Sequence, residues 1–143
     1  MRRMKLIIII TLLTLKAFCP SDEAIRIIKT EPIRPHNKML YSFQKIESNF
    51  NETVVNWLGY TGMLQIGQEM TDEANRLCKL SGNPKRFTFP KCALDSLQST
   101  QIFFIVQDYH NPSYDLRRAC FIWNPLASVN YYNKINKVLK SKL

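Results

Sequence analysis

The stretch Asn37-Lys38-Met39-Leu40-Tyr41-Ser42-Phe43-Gln44-Lys45-Ile46-Glu47 repeats apolar side chains at Leu40, Phe43 and Ile46. Those intervals put them on one face of a helix, and Asn37 stands where a capping residue would start it. Glu47 follows Phe43 by four positions and Leu40 by seven, so its carboxylate falls on the same apolar face, at the C-terminal end. Residues 49–66 lose the helical period and carry turn points at Gly59 and Gly62, so the expectation there is an irregular insertion with room for two short strands.

Downstream the pattern is helical again. Met70, Ala74, Leu77 and Cys78 make one face of a second helix that begins near Thr71 and Asp72. Ala93 to Tyr109 is apolar on most sides, through Leu94, Leu97, Ile102, Phe103, Phe104, Ile105 and Val106, which predicts a central helix. Tyr114 to Trp123 places Leu116, Ala119, Cys120 and Trp123 together, and Ser128 opens a last helix with Tyr132, Ile135 and Leu139 on its face. The predicted class is mainly α (α+β), with a small irregular or β insertion after the first helix.

With 143 residues, 45% of them hydrophobic, there is room for one domain with one good core. Arg2, Arg3 and Lys5 precede the apolar run Leu6 to Leu15, which is too short to span a bilayer and reads as a signal peptide or N-terminal anchor over residues 1–20. An uncleaved leader would tie the domain to a membrane. Residues 21–36 read as a linker, with three charges of each sign and two prolines before His36. The domain is then 37–143, and it is expected to be exported.

Of the 20 basic residues, four lie in the leader, which leaves 16 against 11 acidic ones and a net charge of +5. That balance suits an acidic polymer or a membrane surface. Nucleic acid is not expected, because no Lys/Arg cluster is interleaved with aromatics. Lys134, Lys137, Lys140 and Lys142 read as a solvated helix face. Cys78 and Cys92 flank a short loop at Gly82-Asn83-Pro84, and an oxidising compartment would allow a bridge between them; free buried thiols suit the same spacing. There is no CxxC pair, and His36 and His110 have no ligand-spaced partners, so a metal is not expected.

The chemistry turns on Glu47. Burial on an apolar face disfavours its charged form, and the negative end of a helix dipole acts in the same direction. A carboxyl group kept protonated near neutral pH is what a glycosidic oxygen needs as a general acid. These residues alone also suit a solvated glutamate at a frayed helix end, and by themselves they favour it.

The surrounding wording reverses that preference. Ile46-Glu47-Ser48-Asn49-Phe50-Asn51, then Gly59-Tyr60-Thr61-Gly62-Met63-Leu64-Gln65-Ile66, with Trp123-Asn124 far downstream, resembles the soluble lytic transglycosylase family. The resemblance runs roughly from Met39 to Leu139. It implies a lysozyme-like domain that cuts the β-1,4 bond between N-acetylmuramic acid and N-acetylglucosamine in peptidoglycan glycan strands. Glu47 takes the place of the catalytic acid, and Ser48 that of the neighbour that hydrogen-bonds near the acetamido group. Gly62, Met63, Leu64 and Gln65 match the segment lining the cleft, and Asn124 matches the asparagine facing the glutamate. Tyr60, Trp123 and Pro125 depart from the family's usual residues.

The resemblance supplies a single catalytic carboxylate; Glu52, Glu69 and Asp72 match no catalytic position. One carboxylate suits intramolecular chemistry that ends in a 1,6-anhydro ring, without water or cofactor. The alternatives are a hydrolytic lysozyme-type muramidase on the same fold, or a non-catalytic wall-binding or assembly module. The resemblance implies an exported domain in the periplasm or cell envelope, or one associated with a phage, serving wall turnover or a secretion, conjugation or phage assembly partner.

Overall fold

A computed structural model of the chain describes residues 36–141. The leader over 1–20 and nearly all of the 21–36 linker lie outside the described residues. The described part belongs to one compact unit, Pro35–Leu143.

Its elements are α1 (His36–Ser48), α2 (Gln68–Leu80), the short α3 (Lys91–Leu94), α4 (Ser96–His110), α5 (Leu116–Trp123) and α6 (Val129–Lys140). The described chain is mainly helical and forms no sheet. In the 49–67 segment the two expected strands are reduced to isolated antiparallel bridges, Val55 with Thr61 and Thr61 with Ile66. Among the described residues no helix is long and apolar enough to cross a membrane.

α4 is the hub. It packs on α1, α2, α3 and α5, while α6 closes over α1 and α5. Ile102, Phe103 and Val106 of α4 are fully buried. Phe103 meets Phe43 of α1 at 5.4 Å and Trp123 of α5 at 5.0 Å between ring centroids, and Phe43 meets Trp123 edge-on at 6.1 Å. Tilted and edge-on rings at these distances add attraction beyond their buried area. This aromatic cluster lies one helical turn from Glu47 and fixes the end of α1.

The structure corrects several sequence expectations. The helix predicted over Ala93 to Tyr109 is two helices, broken at Asp95. The Asp95 carboxylate accepts from the Gln98 backbone N–H at 2.9 Å and so caps α4, a role aspartate fills better than it fills a helix interior. The helix predicted from Tyr114 starts at Leu116, because Asp115 caps it in the same way through the Arg118 N–H. Ser128 does precede α6, but its side chain makes no capping bond. Asn37 lies inside the first turn of α1 rather than ahead of it.

α4 is also less apolar around its girth than expected. Leu97 is 67% exposed, whereas Gln107 is fully buried. Buried Asn111 donates to the Gln107 side-chain oxygen at 3.2 Å and to the Asp115 carbonyl at 2.9 Å, and its own oxygen accepts from the Asp115 N–H at 3.0 Å. A satisfied polar network therefore joins the end of α4 to the start of α5, as burial of amides requires. Cys78, Cys92 and Cys120 are buried free thiols, so the Cys78–Cys92 bridge is not formed.

Candidate active site

Glu47 occupies the last turn of α1. The chain leaves that helix through Asn49 (φ 54°) and Phe50 (φ 66°), whose N–H groups return to the Lys45 and Gln44 carbonyls at 3.2 Å each. Asparagine tolerates this left-handed conformation better than most residues. The reversal sends the chain into the 49–67 segment and leaves Glu47 at the wall of a cleft of about 830 Å³.

Burial raises the Glu47 pKa above the usual carboxyl range, and a hydrogen bond donated by the Tyr131 hydroxyl of α6 partly offsets this. Burial, then the charge of Glu47, pushes the Tyr131 phenol far upward, so it stays a donor. The Cys120 thiol is pushed up to about 11 by burial and then by Glu47. The carboxyl therefore sits among groups that remain protonated at neutral pH.

The rest of the cleft comes from four places. The 49–67 segment supplies Asn56, Leu58, Tyr60 and Gln65; α2 supplies Glu69, Met70 and Glu73; α4 supplies Val106 and His110. The end of α5 and the turn after it supply Ile122, Trp123, Asn124, Pro125 and Leu126. Of the residues expected from sequence to bind substrate, Gln65 and Asn124 line the same cleft as Glu47.

Ser48, Gly62, Met63 and Leu64 are not among the lining residues. The Ser48 hydroxyl donates to the Met63 carbonyl at 2.8 Å and accepts from the Asn51 N–H at 3.1 Å, which ties the end of α1 to the insertion. Leu64 is fully buried, and its carbonyl accepts from the Trp123 indole N–H at 3.1 Å. Gly62 has φ 77°, and a Cβ there would meet the Ala93 carbonyl oxygen at 1.9 Å, so only glycine lets the segment press on α3. Gln65 divides its duties: its side-chain N–H group donates to the Gly62 carbonyl at 2.9 Å while the residue lines the cleft. Trp123 is 8% exposed and belongs to the aromatic core beneath the cleft.

Two features escaped the sequence. Tyr131 stands four residues before the fully buried Ile135, so its inward position was available from helical spacing, although its contact with Glu47 was not. The second is a pair on the α2–α4 side. Glu73 accepts from Arg76 at 2.6 and 2.7 Å and meets His110 Nε2 at 2.6 Å. Chiefly through Arg76, its carboxyl is lowered to about 2. Among the described residues no group of three His, Cys, Asp or Glu side chains is placed to hold a metal ion.

No protein-family model, curated protein or solved structure matches this chain.

Proposed function

We propose that this chain is a lysozyme-like, exported lytic transglycosylase that cleaves peptidoglycan glycan strands between N-acetylmuramic acid and N-acetylglucosamine. The observation that carries the reading is Glu47, a half-buried carboxyl with a raised pKa on the wall of an open cleft of about 830 Å³, hydrogen-bonded by Tyr131. Clefts of several hundred Å³ with a few convergent polar groups are the usual setting of small-ligand chemistry.

In this mechanism protonated Glu47 gives its proton to the glycosidic oxygen, and the bond from that oxygen to the muramic acid anomeric carbon breaks. The muramic acid's own acetamide stabilises the positive charge. Glu47, now ionised, accepts a hydrogen bond from Tyr131 and then takes the proton of the sugar's 6-hydroxyl, whose oxygen closes the 1,6-anhydro ring. The same residue must visit both protonation states. Burial favours the first state and Tyr131 the second. Asn124 and Gln65 stand in the cleft to orient the sugar, and positioning of this kind lowers the barrier without a further acid or base.

A hydrolytic muramidase is the second reading, favoured by one observation: Glu73 and His110 line the same cleft at 2.6 Å from each other. An imidazole oriented by a carboxylate is a suitable base for water. Digestion of purified sacculi in heavy-oxygen water separates the two. Transglycosylation gives unlabelled 1,6-anhydromuramic ends, lighter by one water than reducing ends. Labelled reducing ends as the main product overturn the first reading in favour of the second. Sacculi that are bound but not cut overturn both and leave a wall-binding module.

A further inference from the structure

Trp57 is 90% exposed, although tryptophan is on average a highly buried residue. It stands on a turn built to present it. The Asn56 side-chain oxygen accepts from the Leu58 and Tyr60 N–H groups at 2.9 and 3.0 Å, and the Asn56 N–H donates to the Tyr60 carbonyl at 2.9 Å. Gly59 closes the turn at φ 86° with open space around it. The bridge between Val55 and Thr61 anchors its base. Exposure of Trp57 is thus set by the backbone of the turn.

The turn is one lip of the cleft that holds Glu47. Asn56 and Leu58, on either side of Trp57 in sequence, both line that cleft, and Leu126, 96% exposed, lines it from the turn after α5. Residues 53–66 contain no charged side chain, in a chain of net charge +9. An acidic group or an anionic lipid headgroup finds no cation to pair with in this segment. A neutral ring with an apolar face does find a partner, because the C–H face of a pyranose stacks on indole much as an aromatic edge does.

We propose that Trp57 is an outer sugar-binding platform at the mouth of the cleft, stacking on a pyranose of the glycan strand beyond the sugars at the scissile bond. This rests on the glycan-cleavage reading of the same cleft. It makes Trp57 a determinant of strand length rather than of chemistry: a long strand reaches the platform and a disaccharide bound at Glu47 does not.

The chain's two tryptophans are Trp57, exposed, and Trp123, which lines the cleft floor, so the part of the emission that Trp57→Ala removes reports on the platform. The full chain carrying Glu47→Gln is titrated with soluble strands of alternating N-acetylglucosamine and N-acetylmuramic acid, and separately with the disaccharide. Strands are expected to shift the Trp57 part of the emission to shorter wavelength and to protect it from acrylamide, the disaccharide to do neither to that part. Trp57→Ala is expected to abolish the shift and weaken strand binding about three- to tenfold. With native Glu47, Trp57→Ala is expected to raise KM for strands and leave kcat unchanged. Strands that bind with the Trp57 emission and quenching unchanged overturn the platform and leave the cleavage reading intact. Strands that do not bind at all overturn both. A shift produced by vesicles of phosphatidylethanolamine and phosphatidylglycerol, and not by strands, overturns the platform in favour of a lipid surface.

Discussion

The Tyr131 hydroxyl donates a hydrogen bond to the Glu47 carboxylate across 84 positions of sequence. The contact joins the end of α1 to the start of α6, and the Tyr131 ring is held by Phe43 at 6.3 Å, edge-on. A half-buried carboxyl with one fixed donor is kept in a single orientation. It is also given a partner for the moment when it is ionised, which lowers the cost of the charged state without removing it.

The first expectation concerns Glu47 itself. Glu47→Gln keeps the size and the acceptor for Tyr131 but has no proton to give, so turnover on sacculi should fall about 10²–10⁴-fold or more. The same change should stabilise the fold. Burial raises the folded pKa of Glu47, so its contribution to stability is complete below the ordinary value of 4.5 and is lost as pH rises through the raised value. Glutamine has no such loss. Thermal melts should show the variant above the wild type at neutral pH, with the gap closing in acid. A variant that melts lower at neutral pH would contradict the burial argument.

Removing the donor tests the other half of the pair. Tyr131→Phe leaves the ring packing and deletes the bond that favours ionised Glu47, so the Glu47 pKa should rise further. The acid must begin protonated. The limb of the pH–rate profile where activity falls with rising pH should therefore move to higher pH, while kcat drops about tenfold or more at the optimum. An unmoved limb would show that the profile reports another group.

Sequence spacing carried the apolar stripe of α1, the buried face of α2 and the place of Glu47, because each is written in residues three and four apart. What it missed is written elsewhere. Asp95 interrupts an apolar run with a capping side chain, a local competition that hydrophobic periodicity does not register. Gln107 and Asn111 are buried because they satisfy each other and Asp115 across a helix junction. Glu73 and His110 are 37 positions apart and meet through the packing of α2 on α4. Ser48, Gly62 and Leu64 had a motif to recommend them, yet their contacts are those of a scaffold beneath the cleft.

Two glycines in the same segment should respond differently to alanine. Gly59 has φ 86° with nothing within 4 Å of a Cβ, so Gly59→Ala meets only the left-handed backbone cost, about 1–2 kcal/mol. Gly62→Ala adds a collision with the Ala93 backbone, and its loss of stability in denaturant titration should exceed about 2 kcal/mol. Equal losses would mean that the insertion does not press on α3.

The buried thiols give a prediction about redox conditions. Cys78, Cys92 and Cys120 are unbridged, and Cys92 Sγ contacts Thr71 Oγ1 at 3.6 Å in the core. Reductant should leave the melting temperature unchanged, and an alkylating reagent should reach these three residues only after unfolding. A melting temperature that falls on reduction would show a disulfide formed in the native protein.

His110 decides how far the single-carboxylate mechanism holds. Its Nε2 is engaged by Glu73, and Glu73 is itself held by Arg76, so Nδ1 is the nitrogen left to meet a substrate. If the nucleophile is the sugar's own 6-hydroxyl, Glu47 takes its proton and His110 contributes at most a binding contact. His110→Gln should then leave kcat within about fivefold, since one hydrogen bond at a partly exposed site is worth about 1 kcal/mol or less. Products should still be anhydro ends. If His110 instead activates water, losing it removes a general base, and kcat should fall about 10²–10⁴-fold. The two outcomes differ enough for steady-state rates on sacculi to separate them. Glu73→Gln sharpens the comparison because it leaves the imidazole in place without its orienting charge. A water-activating role would show as a fall in kcat with a displaced pH profile, and a binding role as a change in KM alone. Its effect on the fold should stay within about 1 kcal/mol, as for other partly exposed ion pairs. A large loss of kcat in both variants would overturn the transglycosylase mechanism while keeping Glu47 as the acid.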